Sequence, residues 1–209
     1  MLIRKWLFLS LLLVFLVVVL QPFVVTWIES YQARATERLR PYVVSPEKSS
    51  KQIAIVFFSR SGNTALLARH LAQKLNANLY RLEASDYKLG IMGWIHAMRD
   101  ARNYDAIISP QTIDLSGMDT IYLGSPIWLY SPAPPIWQFV ENNRFDGKHV
   151  VLFNTFNSKL KQEYINTFRQ KVMERGAVSF EHQFVNRGRM TQQLSSEEML
   201  RLYDSEWIK

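Results

Sequence analysis

The chain has 209 residues, with 25 lysines and arginines against 18 acidic residues for a net charge of +7, and the absence of cysteine excludes disulfides, thiolate nucleophiles and cysteine-ligated metal centres. From Ser50 onward the balance is 19 basic to 15 acidic residues without a run of five like charges; this is too diffuse for a nucleic-acid binder, which gathers its cations on one face or arm. His70, His96, His149 and His182 are scattered without HExxH or HxH spacing, so no protein-bound metal site is expected.

The first element is an apolar run. Trp6 to Ile28 contains no charged residue, and a helix of that length reaches roughly 34 Å, enough to cross the hydrocarbon core of a bilayer. A cleaved signal peptide is the alternative, with Arg4 and Lys5 as its basic start. Signal cores are shorter, however, and end in small residues, whereas this run closes with Phe23-Val24-Val25-Thr26-Trp27-Ile28. The expected reading is an uncleaved single-pass anchor over residues 1–30, with Trp6 and Trp27 near the two interfaces and lipid as its partner. Arg34, Arg38, Arg40 and Lys48 after the span outnumber Arg4 and Lys5 before it, and the positive-inside rule then places the remainder in the cytoplasm. Residues 31–50, with Pro41, Pro46, Ser49 and Ser50, read as a short helical stalk and a linker.

Residues 51–209 suit one globular domain. Ile53 to Phe58 is a continuous apolar run, as a strand covered on both faces requires. Leu67, Leu71 and Leu75 then recur at helical spacing, Asn76-Ala77-Asn78 closes that helix, and Leu79 to Leu82 forms a second strand. Ile91, Trp94, Ile95 and Met98 mark a helix within an excursion from Asp86 to Asn103. Asp119 to Gly124 is the third strand, and Pro134-Pro135 opens a helix carrying Ile136, Phe139 and Val140. Gly147 to Phe153 is the fourth strand; Ser158 is placed as the cap of a helix that Gly176 ends. Ala177 to Val185 is the fifth strand, and Ser195 to Glu198 offers a capping box before Met199, Tyr203 and Trp207. Strands alternating with helices imply right-handed crossovers and a doubly wound parallel α/β sheet.

In such sheets ligands bind beyond the carboxyl ends of the strands. The loop Ser59-Arg60-Ser61-Gly62-Asn63-Thr64 leaves the first strand and enters a helix, so its amides, hydroxyls and the helix dipole converge on a phosphate or, equally, close a tight turn and cap the helix. Neither GxxxxGK[ST] nor GxGxxG is present, which argues against a nucleoside triphosphatase and a dinucleotide fold.

Phe58-Ser-Arg-Ser-Gly-Asn-Thr64 resembles the phosphate-binding loop of the flavodoxin family, in its usual place after the first strand. Gly124-Ser-Pro-Ile-Trp128 is similar to that family's Gly-x-Pro-x-Trp segment after the third strand, and Asp146-Gly-Lys148 leading to Phe153-Asn-Thr155 resembles the approach to its third flavin-contacting loop. The likeness covers about Lys51 to Trp207. It implies a five-stranded flavodoxin-like sheet of order 2-1-3-4-5 with FMN at the switch point. It assigns FMN contacts to Ser59, Arg60, Ser61, Gly62, Asn63 and Thr64, to Ser125, Pro126, Ile127, Trp128 and Tyr130, and to Asn154, Thr155, Phe156 and Asn157. Trp128 and Tyr130 are the expected flavin-stacking pair, each contact adding about 0.5–1.5 kcal/mol beyond area burial, while Arg60 is expected to be solvated. The third loop lacks the glycine common in that family, and the basic domain departs from the family's usual acidity.

Three functions fit these residues. The leading one is an FMN electron carrier tethered to a membrane and serving a redox partner protein. The second is an FMN-dependent NAD(P)H:quinone-type oxidoreductase, which the anchor and Trp94 favour. The third is a cofactor-free binding module. No side chain is an evident acid or base, because the flavin does the redox chemistry itself.

Overall fold

The computed structural model describes residues 2–38, 52–189 and 192–208; the expected linker, with Pro41, Pro46, Ser49 and Ser50, lies outside them. Helix α1 (Leu2–Arg38) is one continuous helix through both the apolar run and the helical part of the expected stalk. It is long and apolar enough to cross a membrane. Trp6, Leu11, Phe15 and Trp27 on it are exposed, whereas Thr26 and Thr36 are buried. Its later turns therefore do not stand clear of the domain; α1 packs on the helices α2 (Asn63–Leu75) and α3 (Ile91–Asp100).

The strands are β1 (Ile53–Phe58), β2 (Asn78–Leu82), β3 (Thr120–Trp128), the two-residue β4 (Ser131–Pro132), β5 (His149–Phe156) and β6 (Ser179–Asn186). Five of them form a parallel sheet in the order β2-β1-β3-β5-β6, and β4 pairs antiparallel with β3. With the short β4 set aside, this is the flavodoxin order 2-1-3-4-5. The remaining helices are α4 (Pro134–Asn142), α5 (Gln162–Glu174) and α6 (Ser196–Trp207).

The side-chain period of two in β1 divides the core. Ala54, Val56 and Phe58 join Ile136, Phe139, Phe168 and Val172 on one face, while Ile55 and Phe57 join Leu67, Leu71, Met199 and Tyr203 on the other. Each fully buried Leu, Ile or Phe contributes about 1.5–3 kcal/mol. Gly124 lets the second face close: a Cβ there would sit 2.3 Å from the Phe153 ring and 2.8 Å from Phe57 Cβ. The same residue was expected to end the third strand. Instead β3 runs on to Trp128, because Ser125 and Pro126 remain in register with Asn154 and Thr155 of β5. Pro126 needs no ladder donor at this end of the strand. β6 is displaced one or two residues from the expected range. α5 starts after Lys161 without a side-chain cap, so Ser158 lies outside the helix it was expected to cap. The capping box at Ser195 is present, with Glu198 N donating to Ser195 Oγ at 3.1 Å and Ser195 N to Glu198 Oε2 at 2.8 Å.

Candidate functional site

The carboxyl ends of β1, β3 and β5 lie side by side, with Phe57 opposite Gly124 and Gly124 opposite Phe153. The loops that leave them enclose a cavity of about 250 Å³, close to the lower end of the range for small-molecule sites. Ser59, Arg60, Ser61, Asn63 and Thr64 line it from the first loop, Pro126, Ile127, Trp128 and Tyr130 from the second, and Thr155, Phe156 and Asn157 from the third. Twelve of the fifteen residues expected to contact a cofactor are thus brought together.

The other three lie behind the wall. Ser125 is fully buried; its hydroxyl donates to Pro126 O (2.9 Å) and accepts from Ala133 N (2.9 Å), fixing the bend into α4. Asn154, also fully buried, donates through Nδ2 to Ser125 O at 2.8 Å and ties β5 to β3. Gly62 faces away from the cavity toward helix α1, where a Cβ would lie 2.0 Å from Thr36 Oγ1. Its φ of 94° adds a second reason for glycine.

The first loop has the features a phosphate requires. Gly62 is the N-cap of α2, no side chain caps that terminus, and its first turn carries no acidic residue. The amides and the positive end of the helix dipole therefore remain available to an anion. Thr64 Oγ1 lies 2.8 Å from Thr155 Oγ1, a buried bond that joins the first loop to the third. Asn63 is held from below by Arg187, whose Nη1 donates to Asn63 Oδ1 and whose Nε donates to Leu194 O at 3.1 Å. Arg187 is buried, and that burial lowers the pKa of its guanidinium.

Arg60 corrects an expectation. Rather than being solvated, its side chain is only 3% exposed and pairs through Nη1 with Glu29 of α1, while Nη2 donates to Gly90 O at 3.2 Å. Its buried Nε has no hydrogen-bond partner among the described residues, so one donor in the wall awaits an acceptor.

On the opposite side, the β3–β4 hairpin turns on Leu129 and Tyr130, both with positive φ (40° and 80°). A two-residue turn of that hand matches the twist of the flanking strands but normally uses Asn or Gly. The strained turn is pinned by Lys161 N donating to Tyr130 O at 3.1 Å and by Trp137 Nε1 donating to Pro132 O at 3.0 Å. Tyr130 is thereby held at the mouth, 37% exposed, with Lys161 Nζ 5.5 Å from its ring centre. Trp128 is buttressed edge-on by Phe58 (5.6 Å) and Tyr87 (5.2 Å).

Beneath this wall, burial pushes the pKa of His182 down to about 4. The imidazole is therefore neutral at pH 7 and donates from Nε2 to Asn154 Oδ1 at 2.9 Å.

The flavodoxin family profile matches residues 52–198. The chain belongs to the flavodoxin family. Among solved flavodoxin-like structures, a protein from Bacteroides uniformis described as a flavoprotein shares 23% identity, covering 74% of this chain and 98% of its own, with a TM-score of 0.58. A flavoprotein from Lactobacillus acidophilus, solved in complex with FMN, shares 20% identity over 64% of this chain and 93% of its own, with a TM-score of 0.52. A third, from Bacteroides eggerthii, shares 19% identity and covers 75% and 98%, with a TM-score of 0.51. At these identities the likeness concerns the fold. No curated protein matches the sequence. Membership of the flavodoxin family supports FMN as the cofactor for this cavity.

Glu29, Leu129, Ser158 and Lys159 also line the cavity, and Arg187 supports it, yet none follows from the motifs. Ser158 and Lys159 share a short loop with Asn157, so counting two residues further along the third segment finds both. Glu29 and Arg187 reach the site only through the fold.

Proposed function

We propose that this protein binds one FMN in the cavity at the ends of β1, β3 and β5 and carries electrons through it at a membrane. One observation carries the reading: the loop residues at the uncapped N-terminus of α2, Arg60 among them, line the same cavity as Trp128 and Tyr130. A phosphate meets fixed dipoles at one end, and a flat ring meets aromatic side chains at the other. When bound, FMN supplies the electron-accepting and electron-donating chemistry. Ser59, Ser61, Asn63, Thr64 and Arg60 would hold its phosphate, Trp128 and Tyr130 would orient the ring, and Thr155 to Asn157 would close its remaining edge.

Helix α1 supports the anchored part of the reading. Its exposed apolar surface, from Trp6 to Trp27, needs a cover that water does not provide. A bilayer does so over a span of this length. The basic residues following the span favour a cytoplasmic domain.

Full-length protein purified in detergent tests the cofactor assignment directly: it should be yellow, or become so on addition of FMN. A colourless protein that leaves added FMN fluorescent and free sinks the reading. A second reading, direct reduction of a lipophilic quinone, is favoured by the position of Glu29. That residue adjoins the end of the apolar run and lines the cavity whose mouth exposes Leu129 and Tyr130. Steady-state turnover with NAD(P)H and a quinone separates the two, and its absence leaves the carrier.

A further inference from the structure

Helix α1 does more than lead the chain away from the apolar run. One residue beyond that run, Glu29 accepts a hydrogen bond from Arg60, and its own side chain is 20% exposed. One turn later, Gln32 Nε2 donates to Gln193 Oε1 at 2.5 Å. A further turn on, Thr36 fills the space that any side chain at position 62 would need. These contacts recur every three or four residues along one face of α1, and two of them, at Arg60 and Gly62, fall within the loop that opens α2.

We infer that Glu29 is a determinant of phosphate affinity and selectivity in the flavin site, with α1 forming one wall of that site. This rests on the FMN reading above. The charge balance makes the case. Arg60 is the cation of the loop, and its side chain is almost wholly buried against Glu29. An incoming phosphate therefore meets a neutralised pair in place of a free guanidinium, and the Glu29 carboxylate lines the same cavity. A carboxylate beside a dianion in a partly dehydrated site opposes its binding, whereas the flavin ring carries no comparable charge and is indifferent to it. Glu29 thus weakens binding of the phosphorylated flavin selectively. Because Glu29 sits on α1, the strength of cofactor binding reflects how that helix is seated.

The measurement uses the full chain in detergent or nanodiscs, stripped of flavin, with FMN and riboflavin as the two probes and quenching of flavin fluorescence as the readout. Glu29→Gln keeps the shape and removes the charge. It should tighten FMN roughly tenfold and leave riboflavin unchanged, with the gain shrinking at high salt. Glu29→Asp keeps the charge and should retain the wild-type FMN-to-riboflavin ratio. Arg60→Gln should move that ratio the opposite way. An unchanged ratio in Glu29→Gln, or parallel weakening of both flavins, overturns the inference and leaves FMN binding intact. Failure of the wild-type chain to bind either flavin overturns the FMN reading and the inference with it.

Discussion

The bond between Thr64 and Thr155 is the one direct side-chain link between the first and third loops of the cavity among the described residues, and both hydroxyls are buried. Replacing one threonine by valine preserves volume and strands the other hydroxyl without its partner. An unsatisfied buried hydroxyl costs about 1–3 kcal/mol, whereas removing both partners together is close to neutral. Thr64→Val and Thr155→Val should therefore each destabilise the domain by about 2 kcal/mol, which for a domain of this size lowers Tm by roughly 4–8 °C. The double variant should recover most of that loss, giving a coupling energy of about 3 kcal/mol in a double-mutant cycle. Thermal or urea unfolding of the flavin-free protein supplies all four values. FMN affinity provides an independent axis: the double variant loses the Thr64 hydroxyl from the phosphate loop, so it should bind FMN more weakly even where its stability is restored. Strict additivity of the two single effects would refute the assignment of this bond as a link between the loops.

Trp128→Ala should weaken FMN binding by about 1–2 kcal/mol through lost stacking and ring contact, measured by fluorescence titration; unchanged affinity removes Trp128 from that role. Gly124→Ala should cost about 1–3 kcal/mol of stability, because the added methyl overlaps the Phe153 ring and Phe57, which urea unfolding reads directly. His182 sets a pH dependence. Its folded pKa of about 4 lies below the ordinary value of 6.5, so between those values the unfolded chain binds the extra proton and stability falls as pH drops from about 6.5 toward 4. The shift corresponds to no more than about 3 kcal/mol, trimmed toward about 2 by screening at the part-exposed ring. His182→Gln should flatten that part of the stability profile.

Much of the fold is legible because its signals are local. β1 and the Val150–Phe153 stretch of β5 are unbroken apolar runs, α2 carries leucines every fourth residue, and the capping box before α6 lies within four consecutive residues. β3 shows where local reading stops. Pro126 reads as a break, yet the strand continues because Thr155 of β5, from a distant part of the chain, and the hairpin partner β4 complete its pairing. The cap expected at Ser158 fails for a similar reason. Ser158 to Lys161 belong to the loop whose Lys161 N is engaged by Tyr130 O, so α5 begins only after that contact is made.

The site divides in the same way. Its phosphate loop and aromatic segment are motifs, readable residue by residue, and the structure brings them onto one cavity. The charges that tune it are not readable. Arg60 in sequence has no neighbour that distinguishes a solvated arginine from a buried one; Glu29, 31 residues earlier, decides the matter. Arg187 likewise gains its role from Asn63, 124 residues away. Burying a cation carries a desolvation cost of several kcal/mol that only a well-placed partner offsets. Arg60 has a carboxylate for that purpose, and Arg187 has an amide oxygen and a backbone carbonyl. The two cations therefore stand differently toward an anion in the cavity: Glu29 already neutralises the first, whereas the second retains its charge. A dianionic phosphate placed on the N-terminus of α2 draws on Arg187 through Asn63 without first displacing an anion. On the FMN reading, Arg187 would favour the phosphate and Arg60 would contribute in proportion to how far Glu29 releases it, so the loop's own cation answers to α1 while the one supplied from the end of β6 does not.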